Sequence, residues 1–485
     1  MRGLALALVA LATTAAAQTP PPATPTPTAA PAQPAQIQPA PISAEVQRTV
    51  ERLREAALND DHGYAIVRDL VSQIGPRIAG SDAEARARDW ATAMLRANRF
   101  SNVHIEPFTI QSWAWQRQEA RIVSPSQQRL VVAALGGSPS TPPGGVEAEI
   151  VRFADISSLQ AAPESAVSGK IVFIDERMTR TQDGSGYGVA VFKRSHCAHE
   201  AQIRGAVACL IRSVGTDTHR FAHQGSGPRQ PDGASLPTAS MSPADANTLD
   251  ALLEHGPVRV HLELETTMGE NTPSGNVIAD IRGRERPDEI VLLAAHLDSW
   301  DLGQGAIDNG AGVAIITGAA RLINALPRHP RRTIRLLLAG SEEIGGKGGD
   351  AYGAAHRAEH HVIAAESDFG ADRIYAFRTR FAPEALPYAR AMQRALAPLG
   401  INLGNNEADG GTDIGAVRTN GSPVVDLAQD GTRYFDYHHT ADDTLAAIDP
   451  EQLRQNIAAY AVFAYLAAEE DWDFAPRSTA PAAAR

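Results

Sequence analysis

Four short, almost wholly apolar runs, residues 289–295, 333–339, 361–366 and 424–428, recur through the C-terminal part of the chain, and segments between them such as 311–326 and 386–399 carry helical periodicity. A strand that is apolar on both faces has to be covered on both. The pattern therefore predicts an α/β fold in which a mixed, mostly parallel sheet is flanked by helices. In open sheets of this kind ligands bind beyond the carboxyl ends of the strands, where loops converge and helix N-termini point inward. The residues that follow each run are the place to look for chemistry.

They form a consistent set. The first run is followed by His296-Leu297-Asp298, the second by Ser341-Glu342-Glu343, and the third ends in Glu366-Ser367-Asp368. Asp308 stands at the start of the 309–326 helix, and the last run leads to His438-His439-Thr440-Ala441-Asp442-Asp443-Thr444. Each has an ordinary alternative: His-X-Asp as a surface pair, Glu342-Glu343 as a charge pair at a helix N-terminus, Asp308 as a helix cap. Jointly they are the ligand types zinc accepts. With Asp308 bridging, His296, Asp308, Glu343, Asp368 and His439 suffice for two Zn²⁺ ions about 3.5–4 Å apart. Of the adjacent glutamates, one can bind metal while its neighbour handles the proton of the attacking water; Glu343 is assigned the first task and Glu342 the second. Asp298 is expected to hydrogen-bond His296 and fix its tautomer.

A chain of 485 residues exceeds what one hydrophobic core usually supports, so two folded units are expected. Short β-like runs at 147–152, 170–174, 207–212 and 258–264 mark a smaller β-rich unit inserted over 113–269, whose Gly-rich loops lack the Lys-Ser/Thr of a phosphate cradle. The remainder, 43–112 and 270–475, forms the other unit and opens with helices over 45–58, 64–74 and 83–98, the last capped by Ser81 or Asp82. Residues 1–17 have the charge, apolar run and Ala-rich end of a cleavable export signal, too short to be a membrane anchor. Residues 18–42 read as a disordered Pro/Ala-rich linker and 476–485 as a disordered tail. The net charge of −12 argues against nucleic acid or an anionic membrane surface as principal partner. Two cysteines, Cys197 and Cys209, make either one bridge after export or two small buried side chains, the second being preferred.

The stretch from His296 to Asp308, with Glu342-Glu343, Glu366-Ser367-Asp368, Gly411-Thr412-Asp413-Ile414 and His438-His439, resembles the M28 family of two-zinc exopeptidases. The resemblance extends from Gly75-Pro76-Arg77 to about Tyr460, and the β-rich insert is similar to a protease-associated domain, not itself a catalytic unit. It implies one zinc on His296, Asp308 and Asp368 and another on Asp308, Glu343 and His439. His439 is chosen over His438 because the family's ligand stands four residues before an acidic residue followed by Thr, here Asp443-Thr444. His438 and Asp413 are then candidates for substrate contact, Asp413 for a free amino terminus.

The expected function is zinc-dependent hydrolysis of dipeptides or short peptides with a free N-terminus, by hydroxide held between the ions with Glu342 as general base. The protein would be exported to periplasm or medium, and the resemblance implies a homodimer. Two alternatives share the fold: acyl transfer of the glutaminyl-cyclase type, generally with one zinc, and a non-catalytic binding protein that has lost its ligands.

Overall fold

A computed structural model describes residues 37–227 and 236–474. The expected leader at 1–17, the tail at 476–485 and all but the end of the 18–42 linker lie outside the described residues. The last linker residues run against the folded body, where the Ala40 N–H donates to the Pro387 carbonyl at 2.9 Å.

Helix α1 (Ala44–Leu58) starts at Ser43, whose hydroxyl accepts from the Val46 N–H, and buries Val46, Val50, Leu53 and Ala57 along one face. Helix α2 (His62–Gln73) follows. Of the two residues expected to cap α3 (Asp82–Ala97), Ser81 does so, accepting from the Glu84 N–H.

Strand β1 (Ser101–Ser124) was not legible in the sequence, because most of its residues are half-buried or exposed and no clean alternation survives. After it, β2 (Val146–Phe153), β3 (Ile171–Ile174), β4 (Ala208–Arg212) and β5 (Thr238–Met241) pair in parallel, and α4 (Ser185–Gln202) lies between β3 and β4 in the chain. Cys197 of α4 and Cys209 of β4 are fully buried, as preferred above, but they are also disulfide-bonded, with Cα atoms 6.3 Å apart. The unbonded reading is thereby corrected: the helix packs directly over the strand and brings the two sulfurs together.

Strand β6 (Arg259–Ile281) extends far beyond the expected 258–264 and pairs antiparallel with β1 from Ser101↔Asp280 to Ser124↔Arg259. The boundaries expected at 112/113 and 269/270 fall inside this ladder, so the β-rich segment and the remainder are joined by paired strands and not by linkers.

The four apolar runs are strands β7 (Arg286–His296), β8 (Arg332–Ala339), β9 (His360–Glu366) and β11 (Val424–Gln429), with β10 (Ile374–Arg380) added beside β11 and the two-residue strand Asn402–Leu403 pairing outside it. In the order β10-β11-β9-β7-β8-β6 the four are mutually parallel, while β10 and β6 pair antiparallel. Along β7, Val291, Leu293 and Ala295 enter one core with α1, α2, α5 (Ala311–Asn324) and α7 (Pro450–Glu469). Leu292 and Ala294 enter a second on the opposite face with Tyr352 of α6 (Lys347–Ala355). Residues 311–320 of α5 are all buried, which explains why that helix is apolar on every side. The result is the α/β architecture expected, with the carboxyl ends of β7, β8 and β9 opening on one rim.

Candidate metal centre

His296 is the last residue of β7, Glu342 and Glu343 follow β8, Asp368 follows β9, and Asp308 lies in an irregular turn of Ala306–Gly310 that precedes α5. His439 sits on the loop after β11. Ser341 and His439 both have φ of 63°. A left-handed conformation costs a non-glycine residue about 1–2 kcal/mol and is kept where the surroundings impose it.

The loops converge on Asp308. The Nδ1–H of His296 donates to the Asp298 carbonyl at 3.0 Å, which leaves Nε2 as the lone-pair nitrogen. That nitrogen faces Asp308 Oδ1 at 3.0 Å and Asp368 Oδ1 at 3.2 Å. His439 repeats the arrangement. Its Nδ1–H donates to the Gln224 carbonyl at 3.2 Å, and Nε2 faces Asp308 Oδ2 at 3.2 Å and Glu343 Oε2 at 3.0 Å. A lone pair aimed at carboxylate oxygens is repelled unless a proton or metal ion stands between them. Ligand atoms about 2.0–2.1 Å from one tetrahedral zinc lie about 3.3 Å apart, close to these separations.

The electrostatics say the same. Burial opposes charge on His296, yet Asp368, Asp298 and Asp308 outweigh it and hold the ring well above its ordinary pKa; His439 is raised likewise against burial by Glu343 and Asp308. Burial pushes Asp308 up, but His296 and His439 win and hold it well below the usual carboxylate range. Glu342 is pushed well above that range by burial, with Asp368, Glu343 and Asp413 adding and His296 opposing. The cluster calls for positive charge, and protons and a metal ion compete for the same lone pairs.

Glu342 is half-buried and offers an oxygen within 4.8 Å of ligand atoms of His296 and Asp368. With Asp368, 22% exposed, it is the part of the cluster nearest solvent. A cleft of about 460 Å³ opens there, lined by Asp368, Phe369, Tyr187, Tyr375 and Arg378 among others. Asp298 departs from expectation. The contact to His296 comes from its carbonyl, while its carboxylate stands 3.6 Å from Nδ1 and accepts the N–H groups of Glu342 at 3.0 Å and Glu343 at 3.3 Å. It thus fixes the turn that carries both glutamates.

His438 Nε2 lies 3.5 Å from Asp308 Oδ2, but of the two histidines only His439 also meets Glu343. The His438 ring stacks on His439 at 3.5 Å, and burial first, then His439, keeps it well below its ordinary pKa. Asp413, expected as a substrate contact, has no exposed surface in this structure, and burial, with Asp298 and Asp368 adding and His296 opposing, pushes its carboxyl up to about 8.

Several supporting residues escaped the sequence reading. Arg77 is fully buried and donates to the carbonyls of Leu297 at 2.5 Å, Gln304 at 2.8 Å and Gly305 at 2.8 Å, tying together the loops of His296 and Asp308. The Asp443 carboxylate accepts the N–H groups of Ala306 at 2.8 Å, Ile307 at 2.7 Å and Asp308 at 3.3 Å. Only the Gly75-Pro76-Arg77 motif and the His439-to-Asp443 spacing hinted at them. A strap after β4 gave no signal. There Gln224 exchanges two bonds with His439, Ser226 Oγ donates to the Glu343 carbonyl at 2.6 Å, and His223 donates from Nδ1 to the His438 carbonyl at 2.8 Å while its Nε2 meets Asp217 at 2.5 Å.

Residues 276–464, which hold every member of this cluster, match the model of peptidase family M28. Carboxypeptidase Q of Rattus norvegicus is 33% identical over 437 residues, covering 90% of this chain and 91% of that protein. The chain belongs to peptidase family M28. A solved M28 peptidase precursor from Shewanella amazonensis SB2B is 46% identical and superposes with a TM-score of 0.87, covering 89% of this chain and 98% of that one. A zinc aminopeptidase from Bacillus subtilis, 19% identical with a TM-score of 0.62 over 85% of this chain and 96% of its own, shares the fold. The M28 chain is a metallo-exopeptidase, and the cluster around Asp308 lies within the segment that defines its family.

Proposed function

We propose that this M28 enzyme hydrolyses the peptide bond of dipeptides or short peptides with a free amino terminus, using two zinc ions. His296, Asp308 and Asp368 would hold one ion, and Asp308, Glu343 and His439 the other. The observation that carries the reading is the placement of Asp308, one oxygen toward each imidazole Nε2, at 3.0 and 3.2 Å. The donor set fits: both rings have their Nδ1 protons committed to main-chain carbonyls, and the buried Oε1 of Glu343 has no hydrogen-bond partner. Zinc, when bound, supplies a Lewis acid that polarises a peptide carbonyl and lowers the pKa of water.

The chain's own residues supply the rest. Glu342, at the open side of the cluster, accepts the proton of the attacking water on its carboxylate and returns it to the leaving amine. Asp298, Arg77 and Asp443 hold the loops at the separations the reaction needs. The leader-like residues 1–17 and the word precursor in the name of the Shewanella protein support export.

Elemental analysis of purified protein is expected to give two zinc ions per chain, and one would favour chemistry of the cyclase type. The enzyme is expected to cleave unblocked dipeptides, to lose activity with chelator, and to fail on amino-blocked substrates. Glu342→Gln should retain zinc and lose about 10²–10⁴-fold in kcat. Hydrolysis by that variant at the wild-type rate removes Glu342 as the base.

A further inference from the structure

Ser341, which opens the turn carrying Glu342 and Glu343, is fully buried and has a φ of 63°. Glycine takes that conformation freely, and Gly340, Gly345 and Gly346 stand close by in the same turn. A serine kept there has a use for its hydroxyl. Among the described residues the partner of Ser341 Oγ is Ser274 Oγ on β6, at 2.8 Å. Ser274 in turn donates to Glu84 Oε1 on α3 at 2.7 Å. With that proton committed, Ser274 can only accept from Ser341, so both bonds run one way, toward the carboxylate.

Glu84 is built as the end of this relay. Its side chain has no exposed surface, Oε1 lies 2.5 Å from Arg88 Nη1, and Oε2 accepts the Gly80 N–H at 3.0 Å. Burial raises the pKa of its carboxyl, with Arg88 and Ser274 opposing. Helix capping explains part of the arrangement. Ser81 and Glu84 have the spacing of a capping box, and the bond from the Gly80 N–H closes the first turn of α3. Capping does not explain Oε1, which reaches across to another strand. The end of β8 is fitted closely around that contact, since a Cβ on residue 340 would come within 2.9 Å of Ser274 Oγ and 3.0 Å of Glu84 Oε1. Asp298 holds the same turn by its main chain, through the N–H groups of Glu342 and Glu343. Glu84 holds it by the side chain of Ser341.

We propose that Glu84 is a positioning residue for the hydrolysis, setting the aim of Glu342 through Ser274 and Ser341. This rests on the reading of Glu342 as general base. The peptide units are rigid and only φ and ψ are soft, so a turn left unheld at Ser341 moves the carboxylate that follows it. Proton transfer needs that carboxylate within about 2.6–3.2 Å of the attacking water, and a displacement of about 1 Å costs up to about 100-fold in rate. Glu84, Ser274 and Ser341 do not line the cleft, so their loss falls on kcat and leaves KM alone.

The test measures kcat, KM, zinc content and melting temperature for Ser341→Gly, Ser274→Ala and Glu84→Gln, with Ser341→Gly repeated in the Glu342→Gln background. Glycine relaxes the left-handed residue, so Ser341→Gly is expected to keep the wild-type melting temperature and isolates the missing hydroxyl. Each variant is expected to lower kcat about 10-fold at unchanged KM and zinc content. Glu84→Gln deprives Arg88 of its charge partner; if it does not fold, the two serine variants decide. Ser341→Gly should make no further difference to the residual rate of Glu342→Gln, because the relay acts through that carboxylate alone. A wild-type kcat in Ser341→Gly overturns the proposal, as does a loss of zinc or a rise in KM in place of the fall in kcat. An equal fold-loss with and without Glu342 overturns it too. In all these cases a slow Glu342→Gln leaves the general base standing, whereas Glu342→Gln at the wild-type rate sinks both readings.

Discussion

His361 lies near the start of β9, away from the metal cluster at that strand's other end, and its Nε2 accepts the Tyr352 hydroxyl at 2.8 Å. Burial, with Arg335 and His356 adding and Glu359 opposing, pushes the imidazole down to about 4. In the unfolded chain the ring takes its proton near pH 6.5. Between about pH 4 and 6.5 the unfolded state therefore binds a proton that the folded state refuses, and stability falls as pH drops through that window, by about 3 kcal/mol for this group. In urea titrations across that range His361→Gln should show a flatter dependence on pH, by up to one proton; curves parallel to wild type would mean His361 titrates at its ordinary value. Such a residue is invisible in sequence, because a histidine in an apolar run looks the same whether it is charged or silenced. The proposed ligand residues were legible for the opposite reason. Strand ends are where a parallel sheet must put its chemistry, and His296, Glu342, Glu343 and Asp368 stand at the ends of strands the sequence already marks. Arg77 was hidden, since its partners are carbonyls and any residue type supplies those.

Among the elements, α4 carries Tyr187 and is bolted to β4 by the Cys197–Cys209 disulfide, which spans 12 residues. Closing a short loop in the unfolded chain stabilises the fold by typically 2–4 kcal/mol. The double variant Cys197→Ala/Cys209→Ala is expected to lose that much in denaturant titrations and to become indifferent to reducing agent; an unchanged midpoint would show that packing alone holds the helix. The strap over residues 216–226 makes a different demand. It grips the His439 side of the cluster through His223, Gln224 and Ser226, and leaves the His296 side untouched. If the site holds the two zinc ions proposed, His223→Leu should weaken one of them by about 10- to 100-fold in chelator competition. His223→Asn, whose amide can still donate to the His438 carbonyl, should lose less. Equal weakening of both ions would contradict the division. The strap was illegible because it is a polar loop without periodicity, as β1 was because its faces are too evenly exposed. The expected parallel strands lie within a residue or a few of the observed ones, since apolar runs have only one way to be buried.

For the whole molecule, the metal cluster is a buried concentration of carboxylates that the fold tolerates only with compensating charge. Anything that binds the folded state alone stabilises it, by about 4 kcal/mol when ligand is present at a thousand times its Kd. Chelation is expected to lower the melting temperature reversibly, and zinc to restore it; a melting curve indifferent to chelator would mean the ions contribute nothing to folding. The β1 and β6 ladder sets another property of the whole. It runs from Ser101↔Asp280 beside the catalytic sheet to Ser124↔Arg259 in the β-rich segment, with register shifts between Ser101 and His104, Ile110 and Ser112, Trp115 and Arg117, and Ile122 and Ser124. Many enzymes with an inserted module flex at thin tethers, opening and shutting like jaws. Here the two tethers are zipped to each other by main-chain pairing on both sides of each shift, so admission of a peptide is expected to fall to side chains and loop tips around Tyr187 and Asp368, and turnover should show no slow step from large-scale hinging.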